Sequence, residues 1–268
     1  MRGLCVIAVG KLGGQEMGYG SDLDVLFVFD PEASDDPDDA IKARARQAQR
    51  TIRALSAPHE AGAGYELDTR LRPSGSQGVL VTSIGAFAKY HGVADSGSNS
   101  TPRAMAAAWE RQTLVRARAC AGDPDLAGRV LRLARQAAYE LGAPDAEETH
   151  RLRLRMEHEL SGQRGDRYDL KLGPGGLLDI EFAVQVLQMR HGADERVRVT
   201  HTADAIHALQ ATASLAAGDA DVLRRGSDRS RGAWDSGTSP SDLRRSSCWN
   251  GIEVSRRKCA LRTCRSLG

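Results

Sequence analysis

Asp22 and Asp24 stand one residue apart, where a glycine-rich stretch gives way to the apolar run Val25-Leu26-Phe27-Val28-Phe29. Side chains alternate across a strand, so this spacing predicts both carboxylates on one face, with Leu23 and Val25 on the other. Two like charges at one end of a buried strand are costly unless a cation neutralises them. Mg2+ suits that role, because it takes hard oxygen ligands and shares them with substrate phosphates.

Residues 64–72 predict a second strand of the same kind. Tyr65, Leu67, Thr69 and Leu71 would form one face, and Glu66, Asp68, Arg70 and Arg72 the other. Placed beside the first strand, it would bring Asp68 next to Asp22 and Asp24. Three carboxylates can hold two metal ions roughly 3.5–4 Å apart and clamp the attacking and leaving oxygens of an in-line displacement. Arg70 and Arg72 would then face a triphosphate, where a planar guanidinium binds two oxygens at once. Upstream, Leu12-Gly13-Gly14 predicts a turn in which Gly13 and Gly14 let backbone amides approach phosphate oxygens without a Cβ in the way. Ser21 adds a hydroxyl donor. Each part also has a plain structural explanation. The Asp22/Asp24 pair could cap a turn with solvated carboxylates, and the Glu-Asp-Arg-Arg face could be an exposed sheet held by cross-strand ion pairs. Their joint occurrence behind a glycine turn favours the catalytic reading.

The elements that would carry these residues are readable from pattern. Residues 4–9 form a continuous apolar run, typical of a strand covered on both faces. Residues 10–20 read as a long glycine-rich turn, 25–29 as a buried strand, and 31–39 as an acidic, solvated loop. A helix is expected over 40–56, closed by Pro58 and Gly62. Residues 79–81 predict a short strand, and Ser83 begins a helix through Phe87 and Tyr90, followed by a polar loop to 102. Beyond that the chain becomes helical, with candidates at 105–115, 125–141, 147–160, 177–190 and 202–215. The loop Lys171-Leu172-Gly173-Pro174-Gly175-Gly176 lacks the Gly-Lys-Ser/Thr ending of a Walker loop. It reads as a tight turn before a helix, with Asp179 and Glu181 in the first turn facing the macrodipole. Trp109 and Glu110 read as packing and pairing residues. His59, His91, His158 and His191 lack ligand spacing and receive no role.

Composition limits the rest. The 268 residues are 41% hydrophobic and 27% charged, ordinary for a globular protein of one large or two small domains. The net charge of +2 belongs to the C-terminal tail: from Ser227 onward there are nine basic and four acidic residues, leaving 28 basic against 31 acidic before it. The trunk therefore gives no electrostatic case for nucleic acid as a partner. No apolar run approaches the ~20 residues of a membrane span, and the N-terminal run lacks a small-residue cleavage site. Five cysteines without ligand spacing argue against a disulfide framework or a zinc site. A reducing, cytoplasmic location is expected.

The block Gly10-Lys11-Leu12-Gly13-Gly14-Gln15-Glu16-Met17-Gly18-Tyr19-Gly20-Ser21-Asp22-Leu23-Asp24 closely resembles the glutamine synthetase adenylyltransferase family, whose members transfer and remove adenylyl groups. The resemblance continues through Asp68-Thr69-Arg70-Leu71-Arg72-Pro73-Ser74-Gly75, Leu80-Val81-Thr82-Ser83, 109–118 and 171–182, covering roughly residues 3–225. It implies an α+β fold, a polymerase β-type nucleotidyltransferase domain over 1–120 followed by an all-helical bundle over 121–226. It implies Asp22, Asp24 and Asp68 as the catalytic, metal-binding carboxylates, with Mg2+ as cofactor and ATP as substrate. The activity implied is transfer of AMP to a tyrosine of glutamine synthetase with release of pyrophosphate, in regulation of nitrogen assimilation. A PII signal-transduction protein is the further partner it suggests. Family members carry two catalytic halves. Arg72-Pro73-Ser74-Gly75 and Leu114-Val115-Arg116-Ala117-Arg118 look closer to the C-terminal, adenylylating half. The phosphorolytic, adenylyl-removing half stays open beside it. So do an inactive fragment and a template-independent nucleotidyltransferase that uses the same carboxylates on RNA or an antibiotic.

After about Gly226 the family pattern stops. Residues 227–268 are rich in Ser and Arg without a sustained apolar period, a composition that predicts a disordered basic tail. It is also what a shifted reading frame or a mistaken gene model would leave.

Overall fold

The computed structural model describes residues 3–18, 20–31, 36–60, 62–73, 75, 78–94, 104–160 and 169–235, without the side chains of 37 and 229–235. These residues fall into two compact units, Met1–Leu141 and Gly142–Gly268.

The first unit is built on a mixed sheet. Strand β1 (Leu4–Ala8) is buried at every position, as its unbroken apolar run requires. It pairs antiparallel with β2 (Leu23–Phe29), Leu4 opposite Phe29 and Ala8 opposite Val25. On its other side it pairs antiparallel with β5 (Arg118–Gly122), with an irregularity between Val6 and Ile7. The far edge of β2 is shared by two short parallel strands. β3 (Leu67–Asp68) lies beside Leu23 and Asp24, and β4 (Val81–Ser83) lies beside Phe27 to Phe29.

One face of this sheet presents Leu4, Val6, Val25, Phe27 and Phe29, which pack with Val81 against Ala40, Ala48 and the half-buried Ile41, Ala45 and Ile52 of helix α2 (Pro37–Ser56). Burying each large apolar side chain contributes about 1.5–3 kcal/mol. The opposite face receives α5 (Pro124–Tyr139), which packs on β1 and β5 and buries Leu126, Val130, Leu133, Ala134 and Ala137. Helix α3 (Ile84–His91) starts at Ser83, whose hydroxyl accepts from the Ala86 amide. Cys5 is sealed in β1, and burial first, then the charge of Asp123, pushes its thiol up to about 12. That thiol is inert.

Several expectations shift. α2 begins at Pro37 and not at residue 40. Asp36 caps it by accepting from the Asp38 and Asp39 amides, Pro37 takes the first helical position, and Asp38 and Asp39 fill the first turn. Residues 37–39 of the expected acidic loop are thus helical. Residues 10–20 are not all turn, because Gly10–Gly13 forms a short helix, α1. The expected strand over 64–72 shrinks to Leu67–Asp68. Its start is pinned to the end of α2 by Tyr65 N–H to Leu55 O (2.8 Å) and Ser56 Oγ to Tyr65 O (2.9 Å). The expected strand at 79–81 is instead Val81–Ser83. The helix expected over 105–115 is α4 (Ala108–Thr113) followed by a 3-10 turn, Leu114–Arg116. A domain division near residue 120 would cut through β5, and the first unit runs on to Leu141 because α5 packs on the sheet.

The second unit is helical: α6 (Ala146–Leu160), α7 (Leu177–His191), α8 (Thr202–Ala211) and α9 (Ala217–Asp235). Ile180, Val184 and Leu187 of α7 pack with Ala205, Ile206 and Leu209 of α8 and Ala220 and Leu223 of α9. α9 runs straight across Gly226 and Ser227 to Asp235, so the boundary expected at 226 lies inside a helix. The remainder of the expected tail, 236–268, lies outside the described residues. The glycine loop before α7 is a structural turn. Arg153 of α6, itself buried, donates to Leu172 O (2.7 Å) and Gly173 O (3.1 Å) and pairs with Asp179 at 2.7 Å. Asp179 also accepts from the Gly175 amide. No helix among the described residues is long and apolar enough to cross a membrane.

Candidate metal centre at the edge of the sheet

The geometry of β2 decides where its carboxylates point. Val25, Phe27 and Phe29 face α2, so Asp24, two residues before Leu26, shares the opposite face. β3 lies parallel to β2 with Asp68 directly beside Asp24. Neighbours in register point to one side of a sheet, which brings the third carboxylate to the first two. One ligand oxygen each from Asp22, Asp24 and Asp68 lie within 4.8 Å of one another, all three residues half-buried. The Leu23 amide donates to Glu66 O at 2.7 Å and the Val9 amide to Asp24 O at 3.0 Å, so the backbone on both sides of the cluster is tied down.

Asp24 is also fitted from above. Gly10 opens α1 with φ +54°, and a Cβ there would lie 2.2 Å from Asp24 Oδ2. Only glycine tolerates both the left-handed backbone and that approach. Gly13 and Gly14 do something other than what their sequence suggests. The Gly13 amide donates to Val9 O (2.8 Å) and the Gly14 amide to Gly10 O (3.1 Å), so both are spent inside α1. Gly13 is needed for packing, since its Cβ would sit 2.1 Å from Arg116 O. Ser21 Oγ accepts from the Gly18 amide at 3.2 Å while the Ser21 amide donates to Gly18 O at 3.2 Å. Accepting that bond leaves the hydroxyl its own proton to donate.

The two arginines expected to line a phosphate site part company. After Asp68 the chain turns, because the Arg70 amide donates to Asp68 Oδ1 (2.8 Å). Arg70 Nε reaches Oδ1 (3.0 Å) and Oδ2 (2.9 Å), and Nη2 reaches Oδ2 (2.5 Å). The Arg70 side chain is 75% exposed and that of Asp68 12%. Hydrogen bonding from Arg70 holds the Asp68 carboxyl below the usual range, and the guanidinium pKa is raised by Asp68 first, with Asp22 and Asp24 adding to it. Arg72 points elsewhere. Its guanidinium donates to Thr69 O (2.6 Å), Thr69 Oγ1 (2.9 Å) and Gly78 O (3.1 Å), closing the base of the loop between β3 and β4.

Sequence reasoning missed the supports behind α1. Arg118 donates through Nη2 to Leu12 O (2.8 Å) and through Nε to Gly13 O (3.3 Å). Arg116 pairs with Glu16 at 3.0 Å, and both side chains are buried. The only local hint was two arginines two residues apart behind the apolar pair Leu114-Val115. Glu110, read as a pairing residue, accepts from the Tyr90 hydroxyl at 2.6 Å and from the Ala107 amide at 2.8 Å.

Asp22, Asp24 and Asp68 thus bring three hard carboxylate oxygens together beside a short glycine helix, a donor set that could hold a divalent ion. Residues 1–133 match the family described as Glutamate-ammonia ligase adenylyltransferase, and residues 147–231 match that described as GlnD PII-uridylyltransferase. The bifunctional glutamine synthetase adenylyltransferase/adenylyl-removing enzyme of Methylococcus capsulatus is 40% identical over 232 residues, 83% of this chain and 23% of the relative. The protein of the same name from Mycobacterium leprae is 36% identical over 227 residues, 83% of this chain and 21% of the relative. The chain belongs to the glutamate-ammonia ligase adenylyltransferase family. It spans less than a quarter of the length of the curated relatives it matches.

Proposed function

We propose that this chain carries a Mg2+-dependent nucleotidyltransferase site of polymerase β type that moves AMP from ATP to a tyrosine of glutamine synthetase and releases pyrophosphate. The observation that carries the reading is the convergence of Asp22, Asp24 and Asp68 within 4.8 Å, in a chain of this family.

The donor set fits the ion, because Mg2+ binds through one or a few carboxylates and keeps positions for phosphate oxygens. Asp22, Asp24 and Asp68 would hold it. Bound there, the ion supplies charge neutralisation for the triphosphate and for the developing negative charge of the displacement. The protein's own groups do the rest. β2 and β3 fix the carboxylates on one face, so little reorganisation is needed when substrate arrives. Asp68 is the carboxylate we assign to receive the tyrosine proton. Arg70 is the guanidinium we assign to the departing pyrophosphate, and Ser21 the hydroxyl that donates to a phosphate oxygen. Gly13 and Gly14 act by shaping α1.

The adenylylating direction rests on the wording of Arg72-Pro73-Ser74-Gly75 and Leu114-Val115-Arg116-Ala117-Arg118. The same carboxylates would serve phosphorolytic removal of AMP. Regulation by a PII protein belongs to the same reading and rests on the resemblance, whereas a cytoplasmic location rests on the cysteine pattern. The test is transfer of label from α-labelled ATP by the full chain, offered glutamine synthetase beside RNA. Label on glutamine synthetase, lowered by about a hundredfold or more in Asp24→Asn, is expected. Near-normal transfer by that variant, or label on RNA alone, overturns the assignment.

A further inference from the structure

We propose that Arg70 is a built-in counter-cation of the carboxylate cluster: it holds Asp68 until a divalent ion arrives, and is then released toward the phosphates of the nucleotide. The inference deepens the reading above and rests on it.

The geometry is that of a stand-in charge. The guanidinium engages both oxygens of Asp68, at 2.9 and 3.0 Å through Nε and 2.5 Å through Nη2. One of those oxygens belongs to the cluster shared with Asp22 and Asp24. A divalent ion ligated there would lie against a guanidinium of the same sign, so the two cations compete for one carboxylate. The exchange is cheap on the arginine side. Asp68 is nearly covered while Arg70 is 75% exposed, so the guanidinium leaves into water without disturbing the core, and exposed ion pairs cost little to break. It cannot go far, because the Arg70 amide remains bonded to Asp68 Oδ1 at 2.8 Å. The freed fork is thereby kept at the rim of the cluster, where a triphosphate would meet it with bidentate geometry.

Metal and nucleotide also bind with positive coupling, since the nucleotide stabilises the displaced arginine and the displaced arginine no longer opposes the metal.

The test is Mn2+ binding to the full chain, monitored by electron paramagnetic resonance of the unbound ion, with and without a non-hydrolysable ATP analogue. Wild type, Arg70→Gln and Asp24→Asn are compared, with thermal melting as a control for folding. Without nucleotide, Arg70→Gln should bind Mn2+ about three- to tenfold more tightly than wild type. It should also lose most of the added Mn2+ affinity that the analogue confers on wild type. A merely structural ion pair predicts the opposite sign, weaker Mn2+ binding in Arg70→Gln, and a residue that only contacts phosphate predicts no change without nucleotide. Either result overturns the inference. If Mn2+ binding is lost in Asp24→Asn but unaltered in Arg70→Gln, only the role of Arg70 falls. If wild type fails to bind Mn2+, or Asp24→Asn binds it normally, the metal-site reading falls with it.

Discussion

Arg116 Nη2 lies 3.0 Å from Glu16 Oε2, and the two side chains are 4% and 5% exposed. The pair joins the chain just after α1 to the 3-10 turn Leu114–Arg116, far along the sequence. Such a pair adds little net stability over an apolar substitute, but removing one partner strands a buried charge. Glu16→Gln is therefore expected to cost about 3–5 kcal/mol in urea-monitored unfolding. Combining it with Arg116→Met should recover part of that loss, a non-additivity that a double-mutant cycle reads directly. A single-variant loss below about 1 kcal/mol would contradict the buried pair.

Gly10 tests how closely the short helix is fitted to the metal site. Alanine there combines φ +54° with a Cβ 2.2 Å from Asp24 Oδ2, so Asp24 must move. The left-handed strain alone costs about 1–2 kcal/mol, which a domain of this size survives. Gly10→Ala should stay folded by circular dichroism yet bind Mn2+ at least about tenfold more weakly, because a ligand has been displaced. Unchanged Mn2+ affinity would show that Asp24 is not held where the structure places it.

Arg72 and Arg70 should separate in kinetics. Arg72→Lys loses the forked grip on Thr69 O and Gly78 O, so amides in the loop between β3 and β4 should exchange faster with solvent. Its KM for ATP should change less than that of Arg70→Lys. The reverse order would restore Arg72 to the phosphate site.

His91 predicts an acid-labile step in stability. It is buried against Phe87 (ring centroids 4.5 Å) and edge-on to Tyr90 (5.2 Å). Burial first, then the positive charge of Arg111, lowers its pKa from the usual 6.5 to about 4. Between those values the unfolded chain takes up a proton that the folded chain refuses, so stability falls as pH drops from 6.5 toward 4. The loss is on the order of 3 kcal/mol. His91→Gln should flatten this part of the stability–pH curve, measured by denaturant titration at closely spaced pH values. An unaltered slope would place the titration elsewhere.

What the sequence disclosed of the site followed from local rules. Asp22, Asp24 and Asp68 could be grouped because strand alternation and a parallel neighbour leave few other arrangements. The fate of Arg70 and Arg72 was not legible. Continued alternation looked favourable for a strand, but the Asp68 side chain bonds the backbone two residues on and ends it there, a local competition that alternation does not encode. β5 was missed because Arg118-Ala119-Cys120-Ala121-Gly122 has weak strand propensity and owes its conformation to pairing with β1. The Asp36-Pro37 start of α2 carried a good capping signal that its run of acidic neighbours disguised as a solvated loop. α9 crosses Gly226-Ser227, where composition suggested an end; a helix packed along one side needs only that side to be apolar. The Glu16–Arg116 pair had no local signature beyond the two arginines behind Leu114-Val115.

The cluster stands on unequal legs. Asp24 belongs to a strand flanked on both sides and sealed by the core, whereas Asp68 rides on a two-residue strand at the margin of the sheet, followed at once by a turn. Margins of this kind open far more readily than the body of a fold. Peeling β3 away would withdraw one ligand and leave the other two in place, with the hydrophobic body undisturbed. On the proposed metal-site reading, an intermittently detached β3 would make competence for chemistry a property of only part of the folded population at any moment.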